Sequence, residues 1–301
     1  MLLDTLLVHP DTMAPLAVDW QRGEIKTDFQ GKYQAGFKGQ IPFVLPVHEK
    51  EKTRSSDLHR REHSQFNYVD HYQKDAVEFD YFEPISNPVD RAERLRLDQM
   101  IIEAIPTEAT SVLDVGCGNA WLACALVNDN RTVISMDISE HNPVRALERF
   151  PHHRHEALIA DVYHLPIRES SMPCVVASEI MEHVPDPKLF IMKLMAVLQP
   201  GGKLIITTPY NEKIQYHLCV HCNRPTPSHA HLHSFHEKNI QTLIPESVKS
   251  FNIRMFSHKY LNRAHLYSMI EKWPFGLWKR LDHAANSLWH RPMRLMLEIV
   301  K

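Results

Sequence analysis

The 301-residue chain lacks several things that would each have pointed to a class. No apolar run approaches the ~18–20 residues a membrane span needs. The start, Met1 to Val8, is apolar but short, carries Asp4, has no basic residues and meets His9-Pro10 too soon for a secretory signal. The cytoplasm is therefore the expected location. Only five cysteines occur, an odd number with none before Cys117, which excludes a disulfide framework. Charge of one sign is also missing: 34 Lys and Arg face 36 Asp and Glu, a formal net charge of −2 with 21 His uncounted. Near-neutrality argues against a chain whose main task is to hold a phosphate backbone, so nucleic acid is not the expected partner. There is no internal repeat.

What is present divides into zones. Residues 1–47 are short apolar runs broken by Pro10, Pro15, Gly23, Gly31, Gly36 and Gly39, the pattern of a small β-rich unit. Residues 48–64 are almost wholly polar and read as a solvated linker. From 65 to 105 the chain is mostly helical, with aromatics spaced through 66–82; a helical segment ending near 84 can fold over a pocket of the domain that follows. Residues 85–301 form one domain. Its strand candidates are SVLDVGC (111–117), TVISMDI (132–138), EALIAD (156–161), PCVVASE (173–179), KLIITTP (203–209), FNIRMFS (251–257) and MRLMLEIV (293–300). Most are continuous apolar runs, as expected of strands covered on both faces. Helical stretches alternate with them, so the expected fold is α/β: a doubly wound, mostly parallel seven-stranded sheet with a small N-terminal β-rich region. In such sheets ligands sit beyond the carboxyl ends of the strands.

The residues at those ends are distinctive. After the first strand come Asp114, Gly116 and Gly118, where glycines permit a tight turn and close approach of backbone to a ligand. After the second comes Asp137, placed to accept hydrogen bonds from two ribose hydroxyls. After the third, Asp161 can receive an adenine amino group with Val162 beside the ring. The fourth ends in Ser178 and the run EIMEHVPDP, and the fifth follows the turn Gln199-Pro200-Gly201-Gly202.

VLDVGCGNAWLA, then MDIS, then a strand-end Asp, then SEIMEHVPDP, then LQPGGKLIITTP resembles the class I S-adenosylmethionine (AdoMet)-dependent methyltransferases, in order and spacing, over about two-thirds of the chain. The resemblance implies the Rossmann-like methyltransferase fold and AdoMet as cofactor, held by Asp114, Gly116, Gly118, Asp137, Ile138, Asp161, Val162 and Ser178. Ala120 stands where many members have a third glycine. Methyl transfer from a sulfonium is an in-line displacement, and the enzyme mainly aligns the acceptor and excludes water. Biosynthetic methylation of a small-molecule acceptor is the expected activity; an RNA methyltransferase and a non-catalytic AdoMet-binding chain are the alternatives.

Glu179, Glu182 and His183 are the catalytic candidates. If a short helical turn begins there, the two carboxylates point the same way with His183 at i+4, and together they could hold a divalent cation such as Mg2+. The run resembles the Glu-x-x-Glu-His of the ubiquinone-pathway O-methyltransferases and of small-RNA 2′-O-methyltransferases, which use it to hold a metal; the RNA enzymes add a later His. In metal-free members the same residues shape the pocket, and the His can act as base. A second cluster lies in the insert 210–235: Cys219, Cys222, His231 and His233 are residue types that close a structural Zn2+ site. The other reading is a lid that covers the acceptor.

Residues 1–47 resemble a small zinc-ribbon domain found as an activator of RNA and protein methyltransferases. The matching letters include Leu2-Leu3-Asp4, His9-Pro10, Gly31-Lys32-Tyr33 and Ile41-Pro42-Phe43-Val44-Leu45. With no cysteine there, a thiolate zinc site is excluded, and the region is expected to serve packing, dimerisation or substrate docking. Tyr72 and Tyr81 are candidates for contact with cofactor or acceptor. A helical insert, 261–292, carries Trp273, Phe275, Leu277, Trp278 and Leu281 beside Lys272, Lys279 and Arg280. That surface could wall an apolar acceptor, lie on a membrane, or pack against the sheet or a second copy in a homodimer.

Overall fold

The computed structural model describes residues 1–47, 67–219, 223, 225–248 and 250–301. The polar run assigned as linker, 48–64, lies outside the described residues, as does Cys222. In chain order the N-terminal part contains α1 (Leu3–Leu6), β1 (Val18–Asp19), β2 (Glu24–Ile25), β3 (Tyr33–Lys38) and β4 (Ile41–Pro46). Two helices follow, α2 (Tyr68–Glu78) and α3 (Pro88–Ala104). The alternating part runs β5 (Ser111–Val115), α4 (Trp121–Leu126), β6 (Thr132–Asp137), α5 (His141–Arg149), β7 (His155–Ala160), β8 (Met172–Ser178), α6 (Pro187–Val197) and β9 (Leu198–Pro209). After it come β10 (Tyr216–Leu218), β11 (Pro225–Pro227), α7 (Glu237–Gln241), β12 (Ser250–His258), α8 (Lys259–Arg263), α9 (Leu266–Met269), α10 (Phe275–Leu288) and β13 (Pro292–Val300).

Helix starts follow the chemistry of their first residues. Asn67, Asn87 and Asp186 each accept a backbone N–H of the first turn through the side chain, and Pro88 and Pro187 occupy the first helical position, where a missing N–H costs nothing.

The seven expected strands lie in one sheet, ordered β12-β13-β9-β8-β5-β6-β7. β7, β6, β5, β8 and β9 are mutually parallel, while β13 runs antiparallel to both β9 and β12. Every residue of β5 and β7 is buried. Alternate residues of the strands feed opposite faces: Leu113, Val115, Ile134 and Met136 join one apolar cluster, Val112, Val133, Cys174 and Val176 the other. This is the period of two acting on a sheet with two dry sides.

The sheet is wider than the seven expected strands. The β3–β4 hairpin adds two strands beyond β7, because β4 pairs with β7 in parallel, Phe43 opposite Ile159 and Val44 opposite Ala160. The N-terminus is bound to the same edge. Glu156 of β7 accepts the Leu2 N–H at 2.6 Å and the Leu3 N–H at 2.8 Å, capping α1 from outside. Leu3, Leu6 and Leu7 are buried in the larger core cluster. His9 stacks on Phe29 at 5.1 Å and accepts the Asp11 N–H through Nδ1, so aromatic packing closes this segment.

Candidate active site

A cavity of about 1110 Å³ opens at the carboxyl ends of the parallel strands. Its wall includes Gly116 and Gly118 after β5, Asp137 and Ile138 after β6, Asp161 and Val162 after β7, and Ser178, Glu179 and His183 after β8. β5, β6, β7 and β8 end within one residue of their ladder partners, so the register brings these side chains to one rim.

The glycine loop is tight for a visible reason. Gly116 has φ +70°, and a Cβ there would lie 2.2 Å from Ile180 Cδ1. Ala120, at the third glycine's place, keeps the left-handed conformation (φ 55°) as the residue preceding α4. Asp137 is buried; its carboxylate accepts the Ser139 N–H at 2.9 Å and the Asn142 amide at 3.1 Å. Burial pushes it above the usual carboxylate range, against those hydrogen bonds. Asp161 accepts the Tyr163 N–H at 3.0 Å and the Tyr68 hydroxyl at 2.7 Å. Asp114 sits beneath the loop and off the cavity wall, with Oδ2 buried and unpartnered among the described residues. Burial pushes its carboxyl up to about 7, opposed by Arg94 and reinforced by Asp137.

The Glu-x-x-Glu-His run departs from a helical turn. Glu179 is left-handed (φ 58°), and its carboxylate turns away to Arg294 of β13, 2.7 Å from Nη1. Arg294 also pairs with Glu93 of α3 at 3.0 Å. The two carboxylates therefore do not face one site together, because the strongest cation nearby captures one of them. Glu182 is buried, and its Oε2 has no partner among the described residues. Burial, then the neighbouring Glu179, pushes it well above the carboxylate range.

His183 is also buried enough to be pushed down to about 4, by desolvation first and then by His231, so its imidazole is neutral at pH 7. Its Nδ1 is buried and unpartnered among the described residues. His231, from the insert, stands edge-on to it at 4.7 Å between ring centroids. Glu182, His183 and His231 offer ligand atoms within 4.8 Å of one another, the single such group among the described residues.

The insert otherwise behaves as a wall. Pro225 to Pro227 and His229 to Leu232 line the cavity, and the Leu232 and His233 N–H groups donate to the Glu182 carbonyl. His233 Nε2 meets the Val184 carbonyl at 3.0 Å. His231 and His233 are thus directed to different partners; Cys222, the second thiolate of the expected zinc set, lies outside the described residues. Tyr72 and Tyr81 both line the cavity, Tyr72 edge-on to His183 at 5.9 Å. Sequence reasoning singled out neither Tyr68 nor Arg94, which also lie on the wall. Tyr68 belonged to the aromatic run already noted; Arg94 gave no signal.

Residues 113–206 match the family described as methyltransferase domain. A probable S-adenosylmethionine-dependent methyltransferase of Mycolicibacterium smegmatis is 31% identical over 98 residues, 33% of this chain and 37% of that one. Trans-aconitate 2-methyltransferase of Variovorax paradoxus is 33% identical over 128 residues, 42% of this chain and 49% of that one. The chain thus spans less than half the length of these curated relatives. Among solved structures, phosphoethanolamine N-methyltransferase 2 of Haemonchus contortus superposes with a TM-score of 0.50 at 15% identity, covering 69% of this chain and 52% of that one, a likeness of fold alone. Residues 113–206 match a methyltransferase domain, and over that part the chain is similar to S-adenosylmethionine-dependent methyltransferases.

Proposed function

We propose that this chain transfers a methyl group from AdoMet to a small-molecule acceptor bound in the same cavity. One observation carries the reading: a single cavity joins the glycine loop, Asp137 and Asp161 to His183 and His231, with Glu182 buried behind them. Single-ligand pockets run to roughly 1,000 Å³, so a volume of about 1110 Å³ leaves room for cofactor and acceptor together. AdoMet supplies the electrophilic methyl group. The chain's residues hold and align it: Gly116 and Gly118 by backbone approach, Asp137 at the ribose, Asp161 at the adenine with Val162 against the ring, and Ile138 and Ser178 as flanking walls.

At the acceptor end, neutral His183 presents an unpartnered, buried Nδ1. It can accept the proton of an acceptor hydroxyl or amine as the new bond forms. The insert with His229 and His231 covers this end and excludes water. A second reading rests on the same two orphaned buried atoms, Glu182 Oε2 and His183 Nδ1: a divalent cation held by Glu182, His183 and His231, in which case His183 is a ligand and not the base. There it would hold acceptor oxygens, with Glu182 ionised by the cation itself. Glu179 acts through its ion pair with Arg294. A ubiquinone-biosynthesis O-methyltransferase of Coxiella burnetii, 30% identical over 114 residues, is among the similar proteins and lends weight to an oxygen acceptor.

The test is methyl transfer from radiolabelled AdoMet to a panel of small phenols, carboxylic acids and amines, with elemental analysis of the purified protein. Turnover lost in His183→Ala supports the reading. Label transferred to RNA alone would move the chain to an RNA methyltransferase. AdoMet binding with no transfer to any acceptor class would leave a non-catalytic binder.

A further inference from the structure

We propose that the rim formed by α8 and the α10–β13 junction docks on an anionic lipid surface. Leu288, the last residue of α10, is 91% exposed, and Trp289 beside it is 53% exposed. Tyr260 of α8 stacks on Trp289 at 4.4 Å and 20°, and the Arg291 guanidinium lies over the same indole at 5.9 Å from its centroid. Lys259, Arg263 and Arg291 have no ion-pair partner among the described residues, and the backbone places all three beside this aromatic pair.

Residues 259–292 hold six Lys and Arg against two carboxylates in a chain whose net charge is −2, and of the six only Lys279 has an ion-pair partner among the described residues, Glu103. Neither carboxylate offsets the rest: Glu271 pairs with Arg91, and Asp282 is buried against the backbone N–H groups of Ser257 and His258. A leucine and an indole offered to solvent, ringed by unpaired cations, match an interface where apolar chains lie below anionic headgroups.

Other occupants fit less well. A nucleic acid would stack bases on open aromatic faces, but those of Trp289 are engaged by Tyr260 and Arg291. A second copy related by a twofold axis would bring like charges together. The position also has a consequence. β13 begins at Pro292, opposite His258, and Arg294 pairs with Pro209 at the carboxyl end of β9. The rim therefore lies at the end of the sheet that carries the cavity, and docking holds that end toward the surface.

The experiment is flotation of the full chain with vesicles of phosphatidylcholine alone and of phosphatidylcholine mixed with phosphatidylglycerol. Binding is expected only to the mixed vesicles and is expected to weaken with salt. Arg291→Glu should lower it at least roughly fivefold, the weight of one basic residue near such a surface. Leu288→Asp, at an exposed position where folding is not at risk, should abolish it while leaving AdoMet affinity unchanged. Absence of wild-type binding to mixed vesicles, or full binding by Leu288→Asp, would overturn the proposal. So would a dimer in solution that Leu288→Asp dissociates, because the patch would then be an interface between copies.

Discussion

Asp114→Asn removes a charge from a place that cannot solvate it. The side chain is buried beneath the glycine loop, Oδ2 meets no donor among the described residues, and the carboxyl is pushed from 3.8 up to about 7 by burial, with Arg94 opposing and Asp137 and Asp98 adding. A raised folded-state value means that, between the two values, the folded protein keeps a proton the unfolded chain has lost. Stability from this group is whole below the unfolded value and declines as pH rises through the folded one. At about 1.36 kcal/mol per unit, the rise from 3.8 to about 7 corresponds to about 4 kcal/mol. Coupling to Asp137 and Asp98 returns part of it, since either can take up protons in place of Asp114.

The assay is urea unfolding of cofactor-free wild type and variant at about pH 4.5 and about pH 8.5. The difference between the two proteins should move in favour of Asn by about 2–4 kcal/mol between those conditions. The offset from the Asn amide itself is the same at both pH values and cancels. A difference that stays flat would refute the reasoning and place a solvated or paired carboxylate at this position.

Other expectations follow from particular contacts. Gly116→Ala should cost about 1–2 kcal/mol from its positive φ alone and weaken AdoMet binding more than tenfold, as read by urea unfolding and calorimetry. Adding Ile180→Ala should relieve the contact with Ile180 and leave the backbone cost. Asp282→Ala strips a buried acceptor from the N–H groups of Ser257 and His258 and from the Tyr267 hydroxyl, and should cost at least about 1–3 kcal/mol in thermal or urea unfolding. Tyr68→Phe frees an Asp161 oxygen from its 2.7 Å hydrogen bond and should change AdoMet affinity by less than tenfold with the fold intact. A chain beginning at residue 67 loses Leu3, Leu6 and Leu7 from the core and the strand beside β7, and should aggregate on expression.

The alternating domain was legible because its strands are dry on both faces and their ends carry conspicuous residues. Gly116 and Gly118, Asp137 and Asp161 could be placed from local spacing, since each follows directly from the strand before it. What the sequence hid depends on distant partners. Glu179 was read as a companion of Glu182, yet its direction is set by Arg294, 115 residues later. Asp161 receives a hydroxyl from Tyr68, 93 residues earlier. The β3–β4 hairpin reads as a separate unit, because parallel pairing with β7 leaves no mark in either strand beyond a common apolar composition. His231 stands edge-on to His183, 48 residues earlier in the chain, a contact that local spacing does not announce.

The most direct test of the account is calorimetric titration of AdoMet into the purified wild-type chain and into Asp137→Ala. Micromolar binding by the wild type, absent in a folded Asp137→Ala protein, is the predicted result. Absence of binding by the wild type, or equal binding by the variant, would contradict the assignment of this cavity as the cofactor site.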